Sequence, residues 1–188
     1  MDKTDFIIEN NILVRYVGKS KDIIIPEGVT SIRSTAFAYC YGIRPVTIPD
    51  SVTSIGYCAF YNCKNLTSIT IGNGVVYIGE EAFHGCKLKK TIMVKATNAN
   101  MKCRDYQFEL GKWHTEPEAV LCRKGFHYCK NAFDIFNYYC GTLGKDFRLF
   151  KVETNGTSEE KRGDSKRVCT DIKLVREITS LKELLNCN

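Results

Sequence analysis

At 188 residues the chain is long enough for one domain or two small ones, and its 44% hydrophobic and 26% charged residues are ordinary for a folded, solvated protein. The formal charge of +6 is evenly spread: residues 1–95 hold 11 basic and 8 acidic side chains and residues 96–188 hold 16 and 13, so each half carries +3. This interleaving argues against a nucleic-acid partner, which would want a dense basic tract, and no stretch approaches the ~20 apolar residues that span a bilayer. The start, MDKTDFIIENN, is polar and acidic where a secretory signal is positive and then apolar. The ten cysteines are therefore expected to be thiols, and the chain cytoplasmic.

Residues 6–16, FIIENNILVRY, predict two short strands around Asn10-Asn11, because asparagine tolerates the positive φ of a tight hairpin turn. Such a hairpin can cap the segment after it, with Phe6, Ile8, Leu13 and Tyr16 as its apolar contributors. From Ile23 to Val94 the same residue types return every 23 positions, with units starting near 23, 46, 69 and 92. Ile25, Ile48 and Ile71 correspond, as do Val29, Val52 and Val75, then Ile32, Ile55 and Ile78, then Phe37, Phe60 and Phe83. Each unit reaches a cysteine, at Cys40, Cys63 or Cys86. A fixed period in this range predicts a solenoid.

Within each unit the triplets 23–25, 46–48, 69–71 and 92–94 predict strands stacked in that order as a parallel ladder. Side chains alternate across a strand, so Ile24, Thr47, Thr70 and Met93 point outward and form the expected partner-binding strip. Pro26 and Pro49 end the strands, with Gly72 in their place in the third unit. The three-then-four spacing of Val29, Ile32 and Ala36 predicts one face of a helical turn. The aligned cysteines predict a row of small buried thiols, since a line of sulfurs lacks the tetrahedral convergence that zinc wants.

The pattern IPxxVTSIGxxAFxxCxxL resembles the BspA-like (Treponema-type) leucine-rich repeat over roughly residues 6–94, and ILVRYVG resembles that family's lead-in to its first repeat. Arg33, where the later units have Gly56 and Gly79, and YGIRP before Val46 are the departures. The resemblance implies a protein-binding scaffold.

Beyond Val94 the period stops, and residues 96–188 predict a second, small α+β domain, making the fold class α+β: residues 1–95 a capped repeat solenoid, the remainder a domain of unknown function. Strands are predicted at Tyr106–Leu110, Ala119–Leu121, Asp146–Val152 and Asp171–Ile178. A helix is predicted from an Asn131 cap to Tyr139, and a polar loop over Asn155–Lys166. Ser180 and Glu183 read as a capping box opening a C-terminal helix over Leu181, Leu184 and Leu185.

The densest constellation is CRKGFHYCKN, residues 122–131. Its C-x4-H-x-C spacing matches no standard zinc pairing, so buried thiols beside a hydrogen-bonded histidine are expected, with zinc on Cys122, His127 and Cys129 as the alternative. The usual catalytic signatures are absent, and no cofactor is expected. The run ELGKW…VLCRKGFHYCKNAFDIFNYY…FRLFKVETNG is similar to a small domain of unknown function in phage, prophage and gut-bacterial proteins. That similarity implies a phage- or prophage-derived origin and a host partner such as a defence factor. The order of turn, helix and strand is also similar to ADP-ribosyltransferase-like folds, though their STS-type motif is absent. This second resemblance implies an enzyme with Arg104, His127 and Glu177 at its site and Tyr128 after the turn. The favoured expectation is a non-enzymatic protein-interaction module, with the transferase-like enzyme as the alternative.

Overall fold

The computed structural model describes residues 5–88, 91–120, 125–156, 159–160 and 165–186, with backbone alone for Thr91, Ile92, Glu159, Glu160 and Asn186. The described chain is rich in strands with few helices, and it divides into two compact units. One unit comprises Met1–Lys89, Phe136–Thr142 and Ser180–Asn188; the other comprises Lys90–Ile135 and Leu143–Thr179. The sequence expectation cut the chain once, at 95/96, whereas each unit is assembled from separated segments.

The first unit opens on the hairpin β1 (Phe6–Glu9) and β2 (Ile12–Tyr16), turning through Asn10 (φ 48°) and Asn11 (φ 63°). Phe6, Leu13 and Tyr16 are buried. Ile8, expected inward, is 39% exposed, because the register shifts between Ile7 and Ile8. Six short strands come next: β3 (Ile23–Ile24), β4 (Ser31–Ile32), β5 (Pro45–Ile48), β6 (Ser54–Ile55), β7 (Ser68–Ile71) and β8 (Tyr77–Ile78). They build two parallel ladders. One runs β3-β5-β7, with Ile23, Val46 and Ile69 in register; the other continues β2 through β4, β6 and β8, with Leu13, Ile32, Ile55 and Ile78 in register.

The second ladder corrects the helical turn expected from Val29, Ile32 and Ala36. All three are buried, but Ser31–Ile32 is a strand. A helix would spend each backbone N–H on its own chain four residues back. Here the N–H of Thr53 donates to Thr30 O (2.8 Å) and that of Gly56 to Ile32 O (2.9 Å), each in the preceding coil. A Cβ on Gly56 or Gly79 would lie 2.5 Å from the backbone nitrogen of Ser34 or Tyr57 in the coil before it. Arg33, preceded by the hairpin instead of a coil, keeps an exposed side chain.

Rings stack along the unit: Tyr16 on Phe37 (5.3 Å), Phe37 on Phe60 (4.7 Å) and Phe60 on Phe83 (5.6 Å). Beside them Cys63 donates its thiol to Phe37 O (3.0 Å) and Cys86 to Phe60 O (3.1 Å), and the neighbouring Cys86 thiol, followed by burial, pushes the Cys63 pKa up.

The third coil has no fourth repeat behind it. Thr35 and Cys58 donate their backbone N–H groups to Tyr57 O and Glu80 O of the next coil; Glu81, at the same step, donates to Phe136 O (3.1 Å). The Phe136 ring meets Phe83 edge-on at 6.3 Å, and the segment after it pairs antiparallel with β8. The C-terminal helix α1 (Leu181–Asn186) packs by β7 and buries Leu181, Leu184 and Leu185. The Glu183 N–H donates to Ser180 Oγ (3.3 Å), the expected cap.

The second unit holds β9 (Thr91–Asn98), β10 (Lys102–Cys103), β11 (Tyr106–Gln107), β12 (Trp113–Thr115) and β13 (Phe126–Asn131). After β14 (Gly141–Thr142), the strand that pairs with β8, come β15 (Phe147–Asn155), β16 (Glu159–Glu160), β17 (Lys166–Cys169) and β18 (Asp171–Ile178). Among the described residues these form an antiparallel sheet in the order β12-β18-β15-β9-β13-β17-β16, with β10-β11 as a separate hairpin.

The expected fourth rung, 92–94, is therefore corrected: β9 lies between β15 and β13 and not beside β7. Where Pro26, Pro49 or Gly72 stops the earlier strands, Val94 runs on into Lys95, Ala96 and Thr97, and an eight-residue strand suits an antiparallel sheet. The predicted helix 131–139 is a 3-10 helix, Ala132–Asn137. The strand predicted over 106–110 is only β11; that over 119–121 falls partly outside the described residues, as does part of the 155–166 loop.

Candidate functional site

On the first unit, Ile24, Thr47 and Thr70 lie in register across β3, β5 and β7, all exposed, while Ile23, Val46, Ile48, Ile69 and Ile71 are buried. Ile24 is 64% exposed. Asp22, Pro45 and Ser68 continue the surface as a second exposed row. Met93, expected to extend the strip, does not: it packs on the core of the second unit, with Thr154 Oγ1 3.8 Å from its sulfur.

On the second unit, the β10-β11 hairpin, Gly125 and the start of β13 at Phe126 and His127 surround a cavity of about 390 Å³, so the turn expected at 125–127 is confined to Gly125. Gly125 has φ +80°, and a Cβ there would lie 2.9 Å from both Ala119 Cα and Cys169 O. Arg104 sits at the hairpin tip, also with positive φ (54°). Tyr106, Phe108 and Phe126 supply an aromatic wall, Tyr106 lying 4.9 Å from each of the other two by ring centroids. Tyr106 is held by its hydroxyl, 3.2 Å from Nδ1 of buried His114, whose Nε2 engages the Glu109 backbone at 3.1 Å.

The cavity reaches a residue that sequence reasoning overlooked. Lys95, only 2% exposed, donates from Nζ to the His127 carbonyl oxygen (3.0 Å) and lies over the Phe108 ring at 5.0 Å. Burial pushes its pKa down. The His127 imidazole, half-buried, is lowered to about 4 by burial and then by Lys166, Lys95 and Arg104. The signal that could have found Lys95 is a lone charge amid Val94, Ala96 and Thr97 in a strand of inward residues.

The BspA type Leucine rich repeat region (6 copies) matches residues 8–110, and Domain of unknown function (DUF7666) matches residues 91–186, each about half of the chain. The chain belongs to both families. Its repeat region is similar to the T. pallidum leucine-rich repeat protein, at 30% identity over 47% of this chain and 47% of that one, with a TM-score of 0.45. It is also similar to a leucine-rich cell surface protein from Faecalibacterium prausnitzii A2-165, at 34% identity over 45% of this chain and 27% of that one, with a TM-score of 0.40. The chain thus spans about half the length of the one solved relative and about a quarter of the other. No curated protein matches.

In the DUF7666 portion, Arg104 and His127 line one cavity, but Glu177 does not join them. Its carboxylate is taken by Arg148 in a two-pronged pair, Nε to Oε1 at 2.8 Å and Nη2 to Oε2 at 2.5 Å, which holds its pKa below the usual glutamate range. Tyr128 is buried in the core. Of the zinc candidates, Cys122 lies outside the described residues, His127 is half-buried and Cys129 is buried on the same strand. No group of three metal-ligating side chains occurs among the described residues, and no helix there is long and apolar enough to cross a membrane.

Proposed function

We propose that this BspA-type repeat protein is a non-enzymatic protein-interaction module whose partner docks on the strip Ile24, Thr47 and Thr70. One observation carries the reading: three in-register outward positions form a flat, uncharged row while every alternate position is buried. Packing demands apolar residues at the inward positions, whereas nothing in the core demands an isoleucine that is 64% exposed at residue 24. Membership of a leucine-rich repeat family supports the same class of function. Short outward side chains at 47 and 70 let a partner approach the sheet closely, with Ile24 as an apolar anchor at one end.

The test is affinity capture from the cells that produce the protein, comparing the natural chain with Thr47→Arg and Thr70→Glu. Both variants are expected to lose the partners that the natural chain enriches while their melting temperatures stay unchanged, because both positions face solvent. Undiminished capture by both would move the partner site off this face.

A further inference from the structure

Burying a lysine ammonium is costly unless it is paired and hydrogen-bonded. Lys95 is buried, yet its partners are neutral: the His127 carbonyl, the Cys103 thiol and the face of Phe108. An ammonium carries three donors, so the two hydrogen bonds leave capacity for a third acceptor. Lys166, Lys95 and Arg104 are the charges that act most on His127, and none of the strongest influences on Lys95 is a carboxylate. Two acids do line the cavity. Asp105 is exposed, and Glu116, half-buried, acts on the Tyr106 phenol.

A structural role alone would be served by a methionine or leucine at position 95, which would fill the core without the desolvation cost. A cavity of about 390 Å³ that reaches the amine, with aromatic side chains as its wall, makes the charge useful. We propose that this cavity is a ligand site for a small aromatic carboxylate, its carboxylate bound by the Lys95 ammonium and its ring seated against Tyr106, Phe108 and Phe126. Arg104, exposed at the hairpin tip, guides the anion in and adds a second cation at the mouth. A monoanion fits better than a phosphate ester. Among the described residues the interior offers a single ammonium, without the paired guanidinium or the run of backbone N–H groups that phosphates usually meet. This site is independent of the strip on the repeats.

The test is calorimetric titration of the full chain with benzoate and indole-3-carboxylate, each beside its neutral amide, on the natural protein and on Lys95→Met and Arg104→Gln. At least one carboxylate is expected to bind one-to-one, and its amide about tenfold or more weaker, the size of a charge-assisted hydrogen bond. Lys95→Met should fold, because methionine keeps an apolar stem in the same place, and should lose carboxylate binding about tenfold or more. Arg104→Gln, at an exposed position, should lose a smaller factor of about two to five, and more at low salt. It also keeps the proposal testable should Lys95→Met fail to fold. Equal binding of acid and amide, undiminished binding by folded Lys95→Met, or no saturable binding of either carboxylate up to about 10 mM would overturn the proposal.

Discussion

Thr35 is a β-branched residue at φ 61°, a backbone conformation that such residues rarely adopt. It belongs to a series. Left-handed φ recurs at Thr35, Cys58 and Glu81 and again at Tyr39, Asn62 and Gly85, each set spaced by the repeat period. Asn62 and Gly85 are suited to that conformation; Thr35 and Tyr39 in the first coil are not. The Thr35 side chain is exposed, with its hydroxyl donating to Ser34 O at 2.7 Å. Thr35→Asn is therefore expected to stabilise the protein by about 0.5–1 kcal/mol in denaturant unfolding. A loss would mean that the hydroxyl's bond outweighs the relief of strain. Asn62 and Gly85 were readable in the sequence as a turn signal at fixed spacing, while the left-handed Thr35, Cys58 and Glu81 fall inside the stretches read as helical and explain why that reading fails. A right-handed helix cannot run through a left-handed residue.

At the scale of elements, legibility tracked the strength of the alternation. The β1-β2 hairpin, β5, β7 and β18 were all placed from periodicity and turn residues, as was the Ser180 cap. The error at β9 came from extending a period past the point where its strand-ending proline or glycine had vanished. The cavity was half-legible: Arg104 and the Gly125-Phe126-His127 stretch were singled out, whereas the local signal at Lys95, a lone charge amid Val94, Ala96 and Thr97, was passed over because its partners come from strands far apart in the chain. Glu177 was misplaced for a related reason. Its partner Arg148 sits on the neighbouring strand β15, a pairing that only the sheet order reveals. A depressed carboxyl pKa contributes stability that is complete above the ordinary glutamate range and is lost as pH falls through the folded-state value. Glu177→Gln should thus cost up to about 1 kcal/mol at neutral pH, and its deficit against the natural chain should shrink on acidification. A deficit independent of pH between neutrality and strong acid would assign the loss to packing instead of charge.

For the whole molecule, a three-coil stack is too short to end on an open face, since a repeat buries its apolar surface only against its neighbours. The hairpin seals one end. The other is sealed by chain from well beyond the repeats: Phe136 supplies both the carbonyl and the ring that a fourth coil would have offered, β14 pairs with β8, and α1 lies by β7. The need for a cover from residues 96–188 was predictable from the repeat number, but the segments that supply it were not, because neither Phe136 nor the Leu181, Leu184 and Leu185 face carries the 23-residue period. That the repeat stack depends on these distant segments is tested most directly by comparing urea unfolding of residues 1–95 with that of the full chain. The fragment keeps the hairpin but lacks both distant segments, Phe136–Thr142 and α1, and is expected to be molten or aggregated, with no cooperative transition. A soluble, monomeric fragment that unfolds in one sharp transition would contradict the claim.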